Sequence, residues 1–429
     1  GTLALTLGAT LRLHPLPGAK GLATVAFASV DEAIEAVMPI LSTSPSAVEL
    51  LDDTVIDLAR ANTEYARYVD LMPQPTTGRL CAVLYVEYFA DSKAEVAGRF
   101  EALRRTVGSN AMLTFTEPGP MLQAWKLRKA GEPLLHGVPG RRKPVTFVED
   151  NAVPPERLGE FVREFRRIVE SKGTRAAFWA HASVGVLHVR PFIDLKDADD
   201  RERMQEIAIE VARLARSVGG VMSGEHGDGR VRGPLLEEFF GPELMDAFRM
   251  VKRAFDPGNL LNPGNIVEPR PLGSIVTNLR IEPGPSIDGE RWRGGPAAVP
   301  SVSTYFDYSD QHGLDGAVEM CNGAGVCRKK SGGTMCPSYM ATLDERHATR
   351  GRANALRLAI TGQLSGTPGV PAWDDPETMG TLDLCLSCKA CKTECPSNVD
   401  VARLKAEYTA QRYKKQPAPL GSVLLGNAR

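Results

Sequence analysis

Residues 176–194 read AAFWAHASVGVLHVRPFID, and this stretch decides the fold of the first half of the chain. Its apolar and β-branched residues predict a strand over Ala176–Asp194. His181 and His188 are seven residues apart, and on a plain strand an odd separation points two side chains to opposite faces. The two imidazoles can converge only if Ser183–Gly185 form a turn, and we predict one there.

Helices and strands interleave on both sides of this stretch. Ser29 and Glu32 form a possible capping box before the first helix. The pattern predicts helices over 31–41, 52–61, 93–107, 121–130, 155–171, 200–218 and 243–255, and further strands over 79–90, 111–116 and 145–149. The strands have polar neighbours and are not the short, continuous apolar runs of a doubly wound sheet. We therefore predict an α+β domain, an antiparallel sheet covered by helices. Behind it, the run Cys385-x2-Cys388-x2-Cys391-x3-Cys395 has the spacing of bacterial ferredoxins and predicts a mainly α-helical, ferredoxin-like domain.

Composition and spacing divide the chain further. Residues 1–17 alternate and end in prolines, which predicts the last strand or hairpin of a domain that is otherwise absent. Residues 18–268 form the α+β domain, 269–304 a linker rich in Pro, Gly and Ser, 305–417 the cysteine-rich domain, and 418–429 the start of a following region. Helices are predicted over 344–363 and 400–413. Because the chain opens on Gly1 and not on Met, we expect it to be part of a longer protein.

The composition excludes several classes of protein. The 429 residues allow about three domains. Hydrophobic residues make up 43% and charged residues 24%, which excludes a disordered chain. Lys and Arg number 51 against 52 Asp and Glu, so the balance lacks the basic excess of a nucleic-acid-binding protein. No apolar run approaches the ~18 residues of a membrane span, and no signal peptide is visible.

Seven of the eight cysteines fall between Cys321 and Cys395, and Cys81 lies apart from them. This clustering indicates metal binding in a reducing compartment. The second group runs Cys385-x2-Cys388-x2-Cys391-x3-Cys395-Pro, the spacing of bacterial ferredoxins. A structural zinc site is the alternative, but zinc sites usually show two separated C-x2-C pairs. The run therefore favours iron–sulfur clusters.

The first group, Cys321-x5-Cys327-x8-Cys336-Pro, resembles a cluster loop whose central ligand position holds Ala324. The crossed ligation of two-cluster ferredoxins then predicts two sets of ligands. One cluster takes Cys336, Cys385, Cys388 and Cys391, and is [4Fe-4S]. The other takes Cys321, Cys327 and Cys395, and is [3Fe-4S] or [4Fe-4S]. A single cluster, with Cys321 and Cys327 binding nothing, remains the alternative.

Three of the seven histidines lie in two short motifs, one of which is Ser223-Gly-Glu225-His226-Gly-Asp-Gly. The glycines around Glu225 allow the backbone to approach a ligand closely. With His181 and His188, Glu225 would complete two imidazoles and one carboxylate, the ligand set of a catalytic zinc-type site. His226 would then be available as a general base. The spacing alone leaves open that these are ordinary polar residues near a sheet edge.

Several ordered motifs resemble one known family. HASVGVLHVRP, SGEHGDGRVRGP and FDPGNLLNPGNIV are similar to the C-terminal substrate domain of FAD-linked oxidases, which include D-lactate dehydrogenases, glycolate oxidase and D-2-hydroxyglutarate dehydrogenases. GTLALTLGATLRLHPLP resembles the last strands of their FAD-binding domain. CNGAGVCRK and LDLCLSCKACKTECPSNVD resemble the iron–sulfur module fused behind such domains in large bacterial proteins. The resemblance covers about residues 1–268 and 305–413.

The resemblance implies a role for each site residue. His181, His188 and Glu225 would bind a divalent metal, which we take to be zinc, and His226 would act as the base. Arg128, in WKLRKAG, would hold the substrate carboxylate, and Lys143, in RRKPVTFVED, would assist it. Asn262, in LLNPGN, would reach the flavin. The implied substrate is a small D-2-hydroxy acid, oxidised by hydride transfer to FAD.

The resemblance also implies the partners. Electrons would pass through the clusters to a quinone or a redox protein. We expect a cytoplasmic location, either free or peripheral on the inner membrane. Because the FAD-binding domain is almost entirely absent from this chain, we expect the chain alone to bind FAD poorly and not to turn over. Two other classes remain open: a non-catalytic iron–sulfur electron-transfer subunit, and a zinc-stabilised interaction module.

Overall fold

The computed structural model describes residues 2–75, 78–138, 140–277, 279, 302–365 and 370–426. They fall into two compact units. One unit comprises residues 1–61, 65–131 and 142–277, and the other comprises 62–64, 132–141 and 278–429. Much of the predicted linker, residue 278 and residues 280–301, lies outside the described residues.

An antiparallel sheet forms the centre of the first unit. The strands are β1 (Ala19–Phe27), β2 (Ala47–Asp52), β3 (Ala82–Ala90), β4 (Met112–Phe115), β5 (Lys143–Pro144), β6 (Asn151–Ala152), β7 (Ala176–His181) and β8 (Val186–Ile193). They lie in the order β4-β1-β3-β2-β7-β8-β5, and β6 pairs with β8. The predicted α+β class, with an antiparallel sheet and packed helices, is confirmed.

The helices are numbered along the chain. The helices up to residue 255 are α1 (Val30–Leu41), α2 (Asp53–Ala61), α3 (Ala66–Val69), α4 (Lys93–Val107), α5 (Pro118–Leu135), α6 (Leu158–Ser171), α7 (Ala198–Ser217), α8 (Gly229–Arg232), α9 (Leu236–Phe240) and α10 (Pro242–Phe255). The later helices are α11 (Leu314–Val318), α12 (Pro337–Thr342), α13 (Thr349–Ile360), α14 (Pro376–Asp383), α15 (Ala390–Glu394), α16 (Val401–Tyr413) and α17 (Leu420–Gly426).

The two faces of the sheet differ because side chains alternate along each strand. One face carries Val25, Leu50 and Leu84, which pack with apolar residues of α1, α4, α6 and α7 into one large core. The opposite face carries Tyr85, whose ring stacks on Trp125 of α5 with centroids 5.6 Å apart. This second face also presents the polar residues of β2, β7 and β8 described below. The sheet therefore separates the main core from the candidate site.

The strand predictions for residues 145–149 and for residues 1–17 are wrong. Residues 145–149 form no strand, and 146–148 are bends, because the N–H of Phe147 bonds back to the carbonyl of Val145 and Asp150 has a φ of +74°. Residues 2–17 form neither strand nor hairpin. Their leucines are exposed, Leu7 by 91% and Leu16 by 94%, and no described strand pairs with them.

The second unit is built mainly of short helices around its own core, as predicted. Met335, Leu356 and Tyr408 are fully buried in that core. The helix predicted over 344–363 is shorter than expected. A single 3-10 turn, Glu345–His347, precedes α13, which starts at Thr349. The helix predicted over 400–413 is confirmed as α16, with Asp400 as its N-cap.

No helix among the described residues combines the length and the apolar character needed to cross a bilayer.

Candidate metal site and cluster-binding cysteines

The turn between β7 and β8 brings the two predicted histidines together. Residues Ala182–Val184 form a single 3-10 turn, and Gly185 ends it in the left-handed region with a φ of +70°. The ring centroids of His181 and His188 are 5.0 Å apart and the rings are nearly perpendicular. The turn predicted at Ser183–Gly185 is therefore confirmed, and it corrects the continuous strand predicted over Ala176–Asp194.

The turn depends on the absence of a side chain at Gly185. A Cβ there would lie 1.8 Å from the carbonyl oxygen of Val153. We therefore expect Gly185→Ala to lower the free energy of unfolding by about 3 kcal/mol, because strain at positive φ adds to the clash. Gly173→Ala is the matched control, since Gly173 has the same φ of +70° but no atom within 4 Å of its Cβ. Urea unfolding should show a loss of only about 1 kcal/mol for the control; equal losses would contradict the account of the turn.

Glu225 completes a group of three candidate ligands. Its Oε1 lies 3.1 Å from Nε2 of His188 and 3.5 Å from Nε2 of His181. The ligand atoms of these three residues all lie within 4.8 Å of one another. Two imidazole nitrogens and one carboxylate oxygen suit a divalent ion such as zinc, with an open coordination position. The donor set therefore fits the predicted metal, and the ligand role itself remains a prediction.

His188 is the most buried of the three candidate ligands. Its ring stacks on Trp179 with centroids 5.5 Å apart, and the residue is only 5% exposed. Burial, reinforced by the neighbouring His181 and Arg128, lowers the pKa of His188 to about 3. The imidazole is therefore neutral at physiological pH, which is the form that binds a metal.

His226 stacks on the other side of the group. Its ring lies 5.3 Å from that of His188 at an angle of 25°, and its side chain is 46% exposed. Its Nδ1 lies 3.5 Å from Oε1 of Glu149. The ring is thus next to the candidate metal ligands and open to solvent, a position compatible with the predicted role as a base.

Sequence reasoning missed Asp150, a fully buried residue that holds the loop Ser223–Gly227. Its carboxylate accepts hydrogen bonds from the Ser223 hydroxyl and from the backbone N–H groups of Glu225 and His226. Its carbonyl also accepts from the N–H of Gly224. Burial alone would raise the pKa of Asp150, but these hydrogen bonds outweigh burial and lower it. The acidic pair at the end of RRKPVTFVED was the available signal.

Glu49, on β2, was missed as well. Its two carboxylate oxygens each lie 2.8 Å from Nδ1 of His181, and this hydrogen bond is the main cause of the raised pKa of His181. Oε2 of Glu49 also accepts from Arg128 of α5 at 2.6 Å. Arg128 is buried beside the group, which places it near the candidate metal site.

The two other predicted residues lie elsewhere in the unit. Lys143 pairs with Ile193, five residues beyond His188 along β8, which corresponds to about 16 Å. Asn262 has a φ of +48° and donates a hydrogen bond to the Thr2 hydroxyl. Strand pairing therefore places Lys143 away from His188 along β8, and Asn262 contacts Thr2. Their substrate and flavin roles stay predictions.

Four cysteines of the second unit line one cavity. Cys336 approaches the helical loop that carries Cys385, Cys388 and Cys391, and all four line the same cavity. This is the set that crossed ligation predicts for the [4Fe-4S] cluster. Burial raises the pKa of Cys391 to about 11, so its thiol needs a compensating cation to ionise. A cluster would supply that positive charge.

The remaining three cysteines of the unit form a second neighbourhood. Burial is the main cause that raises the pKa of Cys327 to about 11, and nearby Cys336, Cys321 and Cys395 contribute. Backbone N–H groups point at the sulfurs: that of Arg350 lies 3.4 Å from Sγ of Cys327, and those of Val399, Ser397 and Asn398 bond Cys395. Such hydrogen bonds are typical of iron–sulfur ligands. The residues fit a second cluster.

Two family models match separate parts of the chain. Residues 16–266 match the family model described as FAD linked oxidases, C-terminal domain, and the chain belongs to that family. Residues 317–399 match a 4Fe-4S dicluster domain. These matches support FAD and iron–sulfur clusters as the cofactors of the protein.

Two relatives align with nearly the whole chain, and a third aligns with part of it. It is 29% identical to a D-2-hydroxyglutarate dehydrogenase of Pseudomonas putida over 100% of its length, and 29% identical to one of Escherichia coli over 99%. A D-lactate dehydrogenase of Archaeoglobus fulgidus is 29% identical over 62% of the chain and 56% of that protein. The chain spans 44% of the length of each of the first two relatives.

Proposed function

We propose that the protein takes part in the FAD-dependent oxidation of a 2-hydroxy acid of the D-lactate, D-2-hydroxyglutarate or glycolate class. Electrons would leave through the iron–sulfur clusters to a quinone or a protein acceptor. The observation that carries the proposal is the convergence of His181, His188 and Glu225 beside Arg128. The names of the relatives support the substrate class.

Two parts of the site would bind two different groups of the substrate: a metal would bind the hydroxyl, and the guanidinium of Arg128 would bind the carboxylate. His181, His188 and Glu225 would hold a divalent metal, preferably zinc. The metal would polarise a hydroxyl bound to it and so lower the pKa of that hydroxyl. Arg128, only 9% exposed, offers a guanidinium that can pair with a carboxylate. A 2-hydroxy acid carries these two groups on neighbouring carbons.

His226 is the residue best placed to take the hydroxyl proton. Its exposed ring borders the ligands, and Glu149 lies 3.5 Å from its Nδ1 and can stabilise the protonated form. FAD would accept the two electrons of the oxidation. The thiolates of the second unit would hold the clusters that pass those electrons on singly.

The test is binding of D-2-hydroxyglutarate to the zinc-loaded, cluster-loaded protein by isothermal titration calorimetry. Glutarate has the same carboxylates but lacks the hydroxyl. We expect it to bind at least tenfold more weakly, because it cannot use the metal. His188→Ala should abolish this preference together with zinc binding. Equal affinities of the unmodified protein for the two acids would overturn the proposal.

A further inference from the structure

We propose that Glu49 is a positioning residue that links the candidate metal site to Arg128. One carboxylate would orient His181 for the metal and hold the guanidinium that faces the substrate. This inference rests on the proposed function and adds to it a residue outside the ligand set.

The first contact concerns the ring of His181. Both oxygens of Glu49 lie 2.8 Å from Nδ1, while Nε2 on the far side of the ring lies 3.5 Å from Oε1 of Glu225. A carboxylate at Nδ1 keeps the proton on that nitrogen, which leaves the lone pair of Nε2 free to bind a metal. Glu49 thus selects both the tautomer and the orientation of the ring.

The second contact concerns Arg128. Oε2 of Glu49 accepts from a terminal nitrogen of the guanidinium at 2.6 Å, and the two side chains are 10% and 12% exposed. Arg128 comes from α5, whereas His181 comes from β7, so one carboxylate connects two separate elements. A buried, charge-assisted hydrogen bond of this kind restricts the guanidinium to one orientation.

Backbone pairing determines the position of Glu49. In the register of β2 against β7, Glu49 lies directly opposite His181. Directly paired residues on adjacent strands project to the same face of the sheet. The contact therefore comes from the rigid centre of the unit and not from a mobile loop, as expected for a residue that positions a ligand.

Zinc affinity provides a readout that stability alone would not change. Competition with a chromophoric chelator should be measured on cluster-loaded protein, in which the cysteines are occupied. We expect Glu49→Gln to weaken zinc binding 10- to 100-fold, the usual effect of removing such a carboxylate. With zinc saturating, it should also weaken D-2-hydroxyglutarate binding about tenfold, because Arg128 loses its anchor.

The control is Asp52→Asn. Asp52 is a buried carboxylate on the same strand that accepts from the backbone N–H groups of Phe178 and Val55 and from the side chain of Thr54. The Asp52→Asn variant should bind zinc with an affinity within threefold of that of the unmodified protein, whatever its effect on thermal stability. If Glu49→Gln does not fold, Glu49→Asp decides: it keeps the charge but shortens the reach, and should bind zinc more weakly than the unmodified protein.

The outcomes separate the two proposals. Unchanged zinc affinity in a folded Glu49 variant, alongside its loss in His188→Ala, would overturn the role of Glu49 and leave the metal site standing. Equal zinc affinity in the unmodified protein and His188→Ala would overturn the metal site itself.

Discussion

Replacing Cys336 and Cys385 together should lower the bound iron per chain by no more than replacing Cys385 alone. Both residues line the same cavity, so both are expected to serve one cluster. Removing Cys395 and Cys385 together should instead abolish both clusters, although these two residues belong to the same C-terminal run. If each run of cysteines bound its own cluster, the result would be the opposite, because Cys395 would then be a ligand of the same cluster as Cys385.

The measurement is iron and acid-labile sulfide per chain for Cys385→Ala, Cys336→Ala/Cys385→Ala and Cys395→Ala/Cys385→Ala. About half of the iron should remain in the first two proteins and almost none in the third. Cys81→Ala is the control, since Cys81 lies in the other unit and should leave all iron in place. Complete iron loss in the Cys336/Cys385 pair, with half retained in the Cys395/Cys385 pair, would show that ligation is not crossed.

Replacing Asp150 should release the loop that carries Glu225 and His226. Asp150→Ala leaves the N–H groups of both residues without their acceptor, and we expect a loss of about 3 kcal/mol in the free energy of unfolding. Zinc affinity should fall at least tenfold, because Glu225 is no longer held beside the histidines.

Asp150→Asn tests whether the negative charge of Asp150 or its position as a hydrogen-bond acceptor holds the loop. Asparagine tolerates the φ of +74° and keeps one acceptor oxygen, so it should lose less stability than alanine. Asp246→Asn is the control, because Asp246 is an exposed carboxylate paired with Arg249. It should change neither the free energy of unfolding nor the zinc affinity. Stability is read from urea unfolding and affinity from chelator competition. A folded Asp150→Ala with unchanged zinc affinity would contradict the anchoring role.

Local signals predicted much of the fold. The helix predicted over 93–107 has the bounds of α4. In the structure, Ser92 caps its N-terminus and Gly108 follows its end with a φ of +61°. The strands β1 and β2 were missed. Residues 21–27 of β1 are buried without a break, and such a strand lacks the alternation that marks one exposed face.

The candidate site was predictable where its residues lie close together in sequence. His181, His188 and Glu225 lie in glycine-containing motifs, and the need for a turn followed from the spacing of the two histidines. Glu49 is 132 residues from His181, and Asp150 is 75 from Glu225. Only strand pairing and loop closure bring these pairs together. No local pattern indicated Glu49, and for Asp150 the available signal was the acidic pair in RRKPVTFVED.

The most direct measurement counts iron, acid-labile sulfide and zinc per chain in protein purified without oxygen, with an EPR spectrum of the same sample. The account predicts about seven or eight irons with matching sulfide, and about one zinc that His188→Ala removes. Seven irons with a signal in the oxidised state would identify a [3Fe-4S] cluster at Cys321, Cys327 and Cys395. Zinc without sulfide would contradict the electron-transfer account.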